Sequence, residues 1–285
     1  MVPSAKPNSF TPKQAVSFSP QWLHYIQGNI THDIAQYALT LVPPITQTSI
    51  VHDNGCGYGA VTSLIASSAT IPRKIHATDL VPPCEAYVRE QANKNGWDFV
   101  ETATMDATNL TGFANDTFTH SINNFILQPI IDPAKAAKEI YRTVKAASAG
   151  GSAIATTLGV TMHESAINLA NEYTRGKNVA LAIPWYEGRT SKEWLETQLK
   201  DAGFSSVEVS QSVGYTDVES LERWCSLMWS VLGVPAAGWT QADEEHWDKA
   251  IGLMIKDVKS NKDVDVRADG SARFKMVVYV AIASK

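Results

Sequence analysis

The chain has 285 residues, 44% hydrophobic and 19% charged, a balance that allows a sizeable buried core. Its formal charge of -5 comes with no long basic run, which argues against nucleic acid or an acidic membrane surface as a partner. Three scattered cysteines without a Cys-x-x-Cys, and no histidine pair at helical ligand spacing, argue against a disulfide framework and against a metal site. The sequence has neither an apolar signal core near its start nor an apolar run of membrane length, so a cytoplasmic, reducing location is expected.

Residues 1–20, rich in Pro, Ser and Lys, read as a mobile arm. "WLHYIQG" and "THDIAQYALTLV" read as two short helices, the second N-capped by Thr31 and stopped by Pro43-Pro44. Strands and helices then alternate. Ile50–Asp53 is a strand and Ala60–Ala69 a helix; Lys74–Asp79 is a strand and Cys84–Asn95 a helix closed by Gly96. Strands follow at Phe99–Ala103 and Phe118–Phe125. Ala134–Val144 is a helix whose residues Ala137, Ile140, Tyr141 and Val144 share one face. Gly150-Gly151 turns the chain into a strand at Ser152–Thr157. This rhythm predicts an α/β fold, a parallel sheet with helices on both faces.

Past Leu158 the rhythm breaks. Residues 159–203 and 216–260 read as mostly helical, "SSVEVS" between them is a strand, and "RFKMVVYVAIAS" is a strong closing strand after the "RADGS" turn. The expected organisation is an N-terminal arm with lid helices over residues 1–45. A single domain then covers 46–285, with helical cap insertions at about 159–203 and 216–260.

The segment with most chemistry is "SIVHDNGCGYGAVTSLIA". A short strand ends at Asp53, and Gly55, Gly57 and Gly59 follow at alternate positions before a helix. Such a turn lets a ligand approach the main chain, and in open α/β sheets ligands sit at the carboxyl ends of strands. Two ligand classes fit. Gly55, Gly57 and Ala60 loosely satisfy the dinucleotide pattern, whereas Asp53 through Gly59 match in full the Asp-x-Gly-x-Gly-x-Gly pattern suited to S-adenosylmethionine (SAM). The acid separates them. A pyrophosphate is repelled by a carboxylate at the turn, and a sulfonium with an ammonium is attracted to it. The second strand ends at Asp79, placed to accept two ribose hydroxyls, with Leu80 beside it to pack on an adenine. After the third strand, Asp106 can accept the adenine amino group between Met105 and Ala107. Cys56 lies in the loop itself and reads as a small packing residue; His52 reads as pointing into the sheet.

The run "VHDNGCGYG … ATDL … TMDAT … INNFILQPIIDPAKAAKEIYRTVK" resembles the class I SAM-dependent methyltransferases. The resemblance is strongest to the ubiquinone/menaquinone-type small-molecule branch, with relatives in fungal natural-product pathways. It covers about residues 49–157. It implies a Rossmann-like sheet of seven mostly parallel strands with an antiparallel last strand, and SAM as cofactor. It also implies cofactor contacts from Asn123 and from Tyr25, the latter on an N-terminal helix that closes over the site. "INNFIL" departs from the Asn-Pro-Pro-Tyr/Phe that marks methylation of planar amino groups. An apolar small-molecule acceptor is therefore expected, methylated on oxygen, sulfur or nitrogen and drawn from secondary metabolism. Of the candidate bases His24, His32, His120, His163 and His246, His163 ranks first because it follows the fifth strand. Phe125, Trp22 and the Trp185-Tyr186 pair are the candidate acceptor contacts. Most of the other tryptophans read as core. Two other functions stay open: a SAM-binding cyclase or similar non-methyltransferase, and, disfavoured by Asp53, a nicotinamide-dependent oxidoreductase.

Overall fold

A computed structural model describes residues 10–159, 162–182 and 188–285. In chain order the elements begin with α1 (Pro20–Gln27), α2 (Ile30–Leu39), β1 (Ile50–Asn54), α3 (Ala60–Ala66), β2 (Lys74–Asp79), α4 (Pro82–Asn95) and β3 (Val100–Thr104). β4 (His120–Asn123), α5 (Pro133–Thr143), β5 (Ser152–Leu158), α6 (Met162–Arg175), α7 (Lys192–Ala202) and β6 (Ser206–Val218) follow. The chain ends with α8 (Leu221–Leu232), α9 (Gln241–Glu245), α10 (Trp247–Ser260), β7 (Val264–Val266) and β8 (Ala272–Ser284).

The strands lie in the order β3-β2-β1-β4-β5-β8-β6, with β7 paired to β8. β3, β2, β1, β4 and β5 run parallel to one another, and β8 runs antiparallel to β5 with Ala153 opposite Ala283. The fold is thus the expected Rossmann-like α/β sheet with an antiparallel last strand. Among the described residues it has eight strands rather than seven, because "DVDVRADGSARF" folds back as the short hairpin β7–β8. β6 also runs well past "SSVEVS", to Val218.

Local chemistry sets the ends of these elements. α5 begins at Pro133, and the Asp132 side chain accepts the Lys135 N–H at 2.9 Å as its cap. α4 ends at Gly96, whose φ of 67° closes it as the sequence suggests. Thr31 is not the N-cap of α2. The helix starts two residues earlier, at Ile30 behind Asn29, and the Thr31 hydroxyl is hydrogen-bonded to Tyr58 instead.

The chain divides into two compact units. The sheet unit holds residues 29–159, 188–214 and 277–285. Helices α5 and α7 pack together within it, and Leu127, Ile140, Leu195, Leu199 and Ala281 share one core. α2 packs on α3 in this unit. The helical unit holds residues 10–28, 162–182 and 215–276. Its core contains Trp224, Trp229, Trp239, Trp247, Met254 and Phe274. The Arg175 guanidinium lies 4.5 Å from the Trp229 ring and 5.1 Å from the Trp239 ring, and donates to Asp243 at 2.6 Å. Four tryptophans are therefore core of this unit itself.

Candidate active site

The carboxyl ends of the parallel strands gather the strand-end acids. β1 sits between β2 and β4, so the chain order reverses beside it, and this is where open α/β sheets bind ligands. Asp53 is buried, and its Oδ2 accepts both the Thr62 N–H at 3.0 Å and the Thr62 hydroxyl at 2.6 Å. It thereby caps the start of α3 from the strand below, where a negative charge is favoured. Burial nevertheless pushes its pKa up to about 6; the two Thr62 bonds pull against this, and nearby Asp79 adds to it.

Gly55, Gly57 and Gly59 all have positive φ. At Gly55 there is a second reason for glycine: a Cβ would lie 2.3 Å from Ile126 Cγ2. Ile126 follows the end of β4, so what lies against this glycine is first of all a neighbouring side chain. The Gly55 and Cys56 N–H groups both donate to the Thr78 carbonyl, at 2.8 and 2.9 Å, which ties the loop to β2. Cys56 is buried, and desolvation with the charges of Asp53 and Asp79 drives its thiol far above the ordinary range, as expected of a packing residue.

Asp79 ends β2 and is half-buried. Its Oδ2 accepts the Gly57 N–H and its Oδ1 accepts the Val81 N–H, each at 2.8 Å. Burial raises its pKa against these bonds. Leu80 beside it is 62% exposed. Met105 donates its N–H to the Asp79 carbonyl at 2.8 Å, so Met105, Asp106 and Ala107 follow directly from the Asp79 position. Asp106 is exposed and uses Oδ1 to accept the Thr108 N–H.

Asn123 is different. It is fully buried, its amide donates to the Ser121 and Ile154 carbonyls, and its Oδ1 accepts from Asn54. One amide hydrogen goes to Ser121 on its own strand and the other to Ile154 on β5, so the side chain pins the sheet. Phe125, two residues on, leaves β4 with a φ of 59°. Such a value is rare for an aromatic residue.

Tyr25, Trp22 and His163 belong to the helical unit. The Arg223 guanidinium stands 4.9 Å from the Trp22 ring and 5.2 Å from the Tyr25 ring, and the Tyr25 hydroxyl donates to the Ser220 carbonyl at 3.5 Å. His163 sits in the first turn of α6, where burial lowers its pKa to about 4. Trp185 and Tyr186 lie outside the described residues. The histidines of the sheet unit's interior are committed: His52 Nε2 to the Thr78 hydroxyl at 2.9 Å, His120 Nε2 to the Pro43 carbonyl at 2.8 Å.

Residues that the sequence did not assign to the site complete the strand ends. Asn124, Thr156, Thr31 and Tyr58 are linked by hydrogen bonds, and the Gln128 amide donates to the Leu158 and Arg189 carbonyls and accepts the Leu158 N–H. Tyr58 and Asn124 stand inside the quoted motifs, but nothing in their spacing shows which partner each finds. A cavity of about 490 Å³ opens at the amino end of β5, lined by Tyr37, Ser152, Glu208 and Ile282. It contains none of the strand-end acids.

Residues 52–155 match the family described as methyltransferase domain. The chain therefore carries a methyltransferase domain and is an enzyme of that type. Solved structures share the fold at low identity. A Bacillus halodurans protein assigned as a methyltransferase is 17% identical, with 89% of this chain and 99% of that one covered and a TM-score of 0.60. Haemonchus contortus phosphoethanolamine N-methyltransferase 2, solved with phosphomonomethylethanolamine and S-adenosylhomocysteine, is 20% identical at a TM-score of 0.57. That match covers 93% of this chain and 56% of the other. The [4+2]-cyclase SpnF is 14% identical, with 89% and 80% covered and a TM-score of 0.52. No helix among the described residues is long and apolar enough to cross a membrane.

Proposed function

We propose that the protein transfers a methyl group from SAM to an oxygen, or in second place to a sulfur or nitrogen, of an apolar small molecule of secondary metabolism. The observation that carries the cofactor half is the pair of strand-end acids. Both have pKa values raised by burial, so both gain from a cationic ligand. Asp79 would hold the ribose with the lone pairs that Gly57 and Val81 leave open, Leu80 and Met105 would flank the adenine, and Asp106 would accept its amino group. When bound, SAM supplies an activated methyl on a sulfonium, so positioning of the nucleophile accounts for most of what the protein must do.

The acceptor half rests on what surrounds the end of β4. Phe125 and Ile126 are apolar, and Asn123 is spent inside the sheet, which speaks against a planar amine as acceptor. His163 is the proposed base. At a pKa of about 4 it is neutral at pH 7 but weakly basic, so it suits an acceptor whose proton is already loose, such as a phenol, an enol or a thiol. Placement in the ubiquinone/menaquinone-type branch, a fungal-type pathway and a cytoplasmic site belong to the same proposal. The three cysteines are free thiols, consistent with a reducing compartment.

The SpnF likeness keeps a second reading alive, a cyclase that holds the cofactor without spending it. Incubation with methyl-labelled SAM and a panel of apolar phenols, thiols and amines separates them. Label in a phenol or thiol product supports the proposal. Conversion of a polyene acceptor with SAM recovered intact supports the cyclase.

A further inference from the structure

Three non-glycine residues among those described have positive φ: Asp116, Asn178 and Phe125. Asp and Asn tolerate that conformation through short polar side chains, and an aromatic residue does not. Strain of this kind persists only where neighbours hold it, and it concentrates at functional sites. The neighbours of Phe125 can be named. Its N–H donates to the Thr156 hydroxyl at 2.9 Å. The same hydroxyl donates to Asn124 Oδ1 at 2.7 Å. Asn124 Nδ2 donates to the Thr31 carbonyl at 2.9 Å, and the Thr31 hydroxyl is bonded to Tyr58 of the glycine loop. Thr156 is fully buried, so no water replaces these bonds. The next residue, Ile126, is the one that would meet a Cβ on Gly55. Leu127, fully buried, anchors the far side of the turn.

We infer that Thr156 and Asn124 are positioning residues, a clamp that holds Phe125 in its left-handed turn and so seats Ile126 on the first cradle glycine. The clamp joins β4, β5, α2 and the glycine loop into one wall at the end of the sheet where the cofactor's reacting end belongs. What the wall is for rests on the methyltransferase reading; how it is held rests on the bonds alone.

The test is a double-mutant cycle on Thr156→Val and Phe125→Gly, with Thr156→Ser as the conservative variant. Valine keeps the volume and loses both bonds; serine keeps the hydroxyl; glycine accepts the positive φ without a clamp. Melting temperature and the Kd for S-adenosylhomocysteine, by calorimetry, are read on all four proteins and the wild type. T156V should weaken binding about 10-fold and lower the melting temperature by ~2–6 °C. T156S should recover most of both losses, and in the F125G background T156V should cost less than half as much. Equal losses in T156S and T156V, or a cost of T156V unchanged by F125G, would reduce Thr156 to a packing residue and overturn the clamp. Should T156V not fold, the same cycle with Asn124→Ala, which removes the acceptor of the Thr156 hydroxyl, decides it by the same criteria. A wild-type protein that fails to bind S-adenosylhomocysteine overturns the cofactor reading instead, and the melting cycle still decides the clamp.

Discussion

Asp79→Ala is the substitution with the most to say about the site. A carboxylate offers about four lone-pair positions. Two of them accept the Gly57 and Val81 N–H groups, which leaves two for a pair of ribose hydroxyls. A hydrogen bond to a charged group contributes roughly 1.5–3 kcal/mol. Losing one or two of them on the cofactor side predicts a fall in affinity on the order of 10- to 1,000-fold, since ~1.4 kcal/mol is tenfold. The structure adds a second cost. Asp79 also tethers the glycine loop, and freeing two N–H groups that water can partly reach should remove ~1–2 kcal/mol of stability. That corresponds to a melting shift of about 2–8 °C. Asp79→Asn separates the two roles: its one amide oxygen can keep one tether, while its NH₂ opposes the other donor. Calorimetric titration with SAM and S-adenosylhomocysteine, beside circular dichroism of each variant, gives both numbers. Unchanged affinity in a folded D79A protein would make Asp79 a loop tether only. Tight NADH binding with none of SAM would overturn the cofactor assignment.

Three further outcomes are expected. SAM affinity should fall as pH drops through about 6, because Asp53 takes up a proton there and a neutral acid no longer favours a cation; equal Kd values by calorimetry at pH 5.5 and 7.5 would count against it. His52 is buried and neutral, its pKa lowered to about 3 by desolvation, while the unfolded chain protonates near 6.5. Its share of stability is full above pH 6.5 and is lost as pH falls toward 3, up to ~5 kcal/mol, so the difference in urea midpoints between wild type and His52→Leu should shrink or invert on acidification; a constant difference refutes it. In the helical unit, Asp243→Ala leaves Arg175 buried against Trp229 and Trp239 without its partner, and should cost ~3–5 kcal/mol in chemical denaturation; a loss under about 1 kcal/mol would show that water reaches the guanidinium.

Much of the sheet was legible because its signals are local. Lys74–Asp79 reads as a strand from its apolar alternation, Gly96 closes α4 through its own φ, and Asp53, Gly55 and Gly57 sit in one run of sequence. The β7–β8 hairpin was missed because three residues of strand carry too little pattern to stand out from a turn. Thr31 was misjudged for a different reason. A threonine before an apolar run looks like a cap, and only the fold shows that Tyr58, distant in sequence, claims its hydroxyl. The resemblance implies a cofactor contact from Asn123; in the fold its amide bonds to Asn54, Ser121 and Ile154, and no local pattern shows those partners. Hydrogen-bond partners are pairwise and non-local, and composition does not reveal them.

The first cradle glycine joins these two levels. Sequence explains Gly55 by a ligand that must touch the backbone, and its φ of 74° agrees with a turn that side chains avoid. The structure adds Ile126, standing where a Cβ would go. The shape of the cradle is therefore set in part by a residue just past β4, next to the strained turn at Phe125. A change at the end of β4 that suits a new acceptor will move Ile126 and, through Gly55, the cofactor loop as well. Acceptor choice and cofactor affinity should then vary together in this protein, and a loop built of glycine is the form that can yield to both.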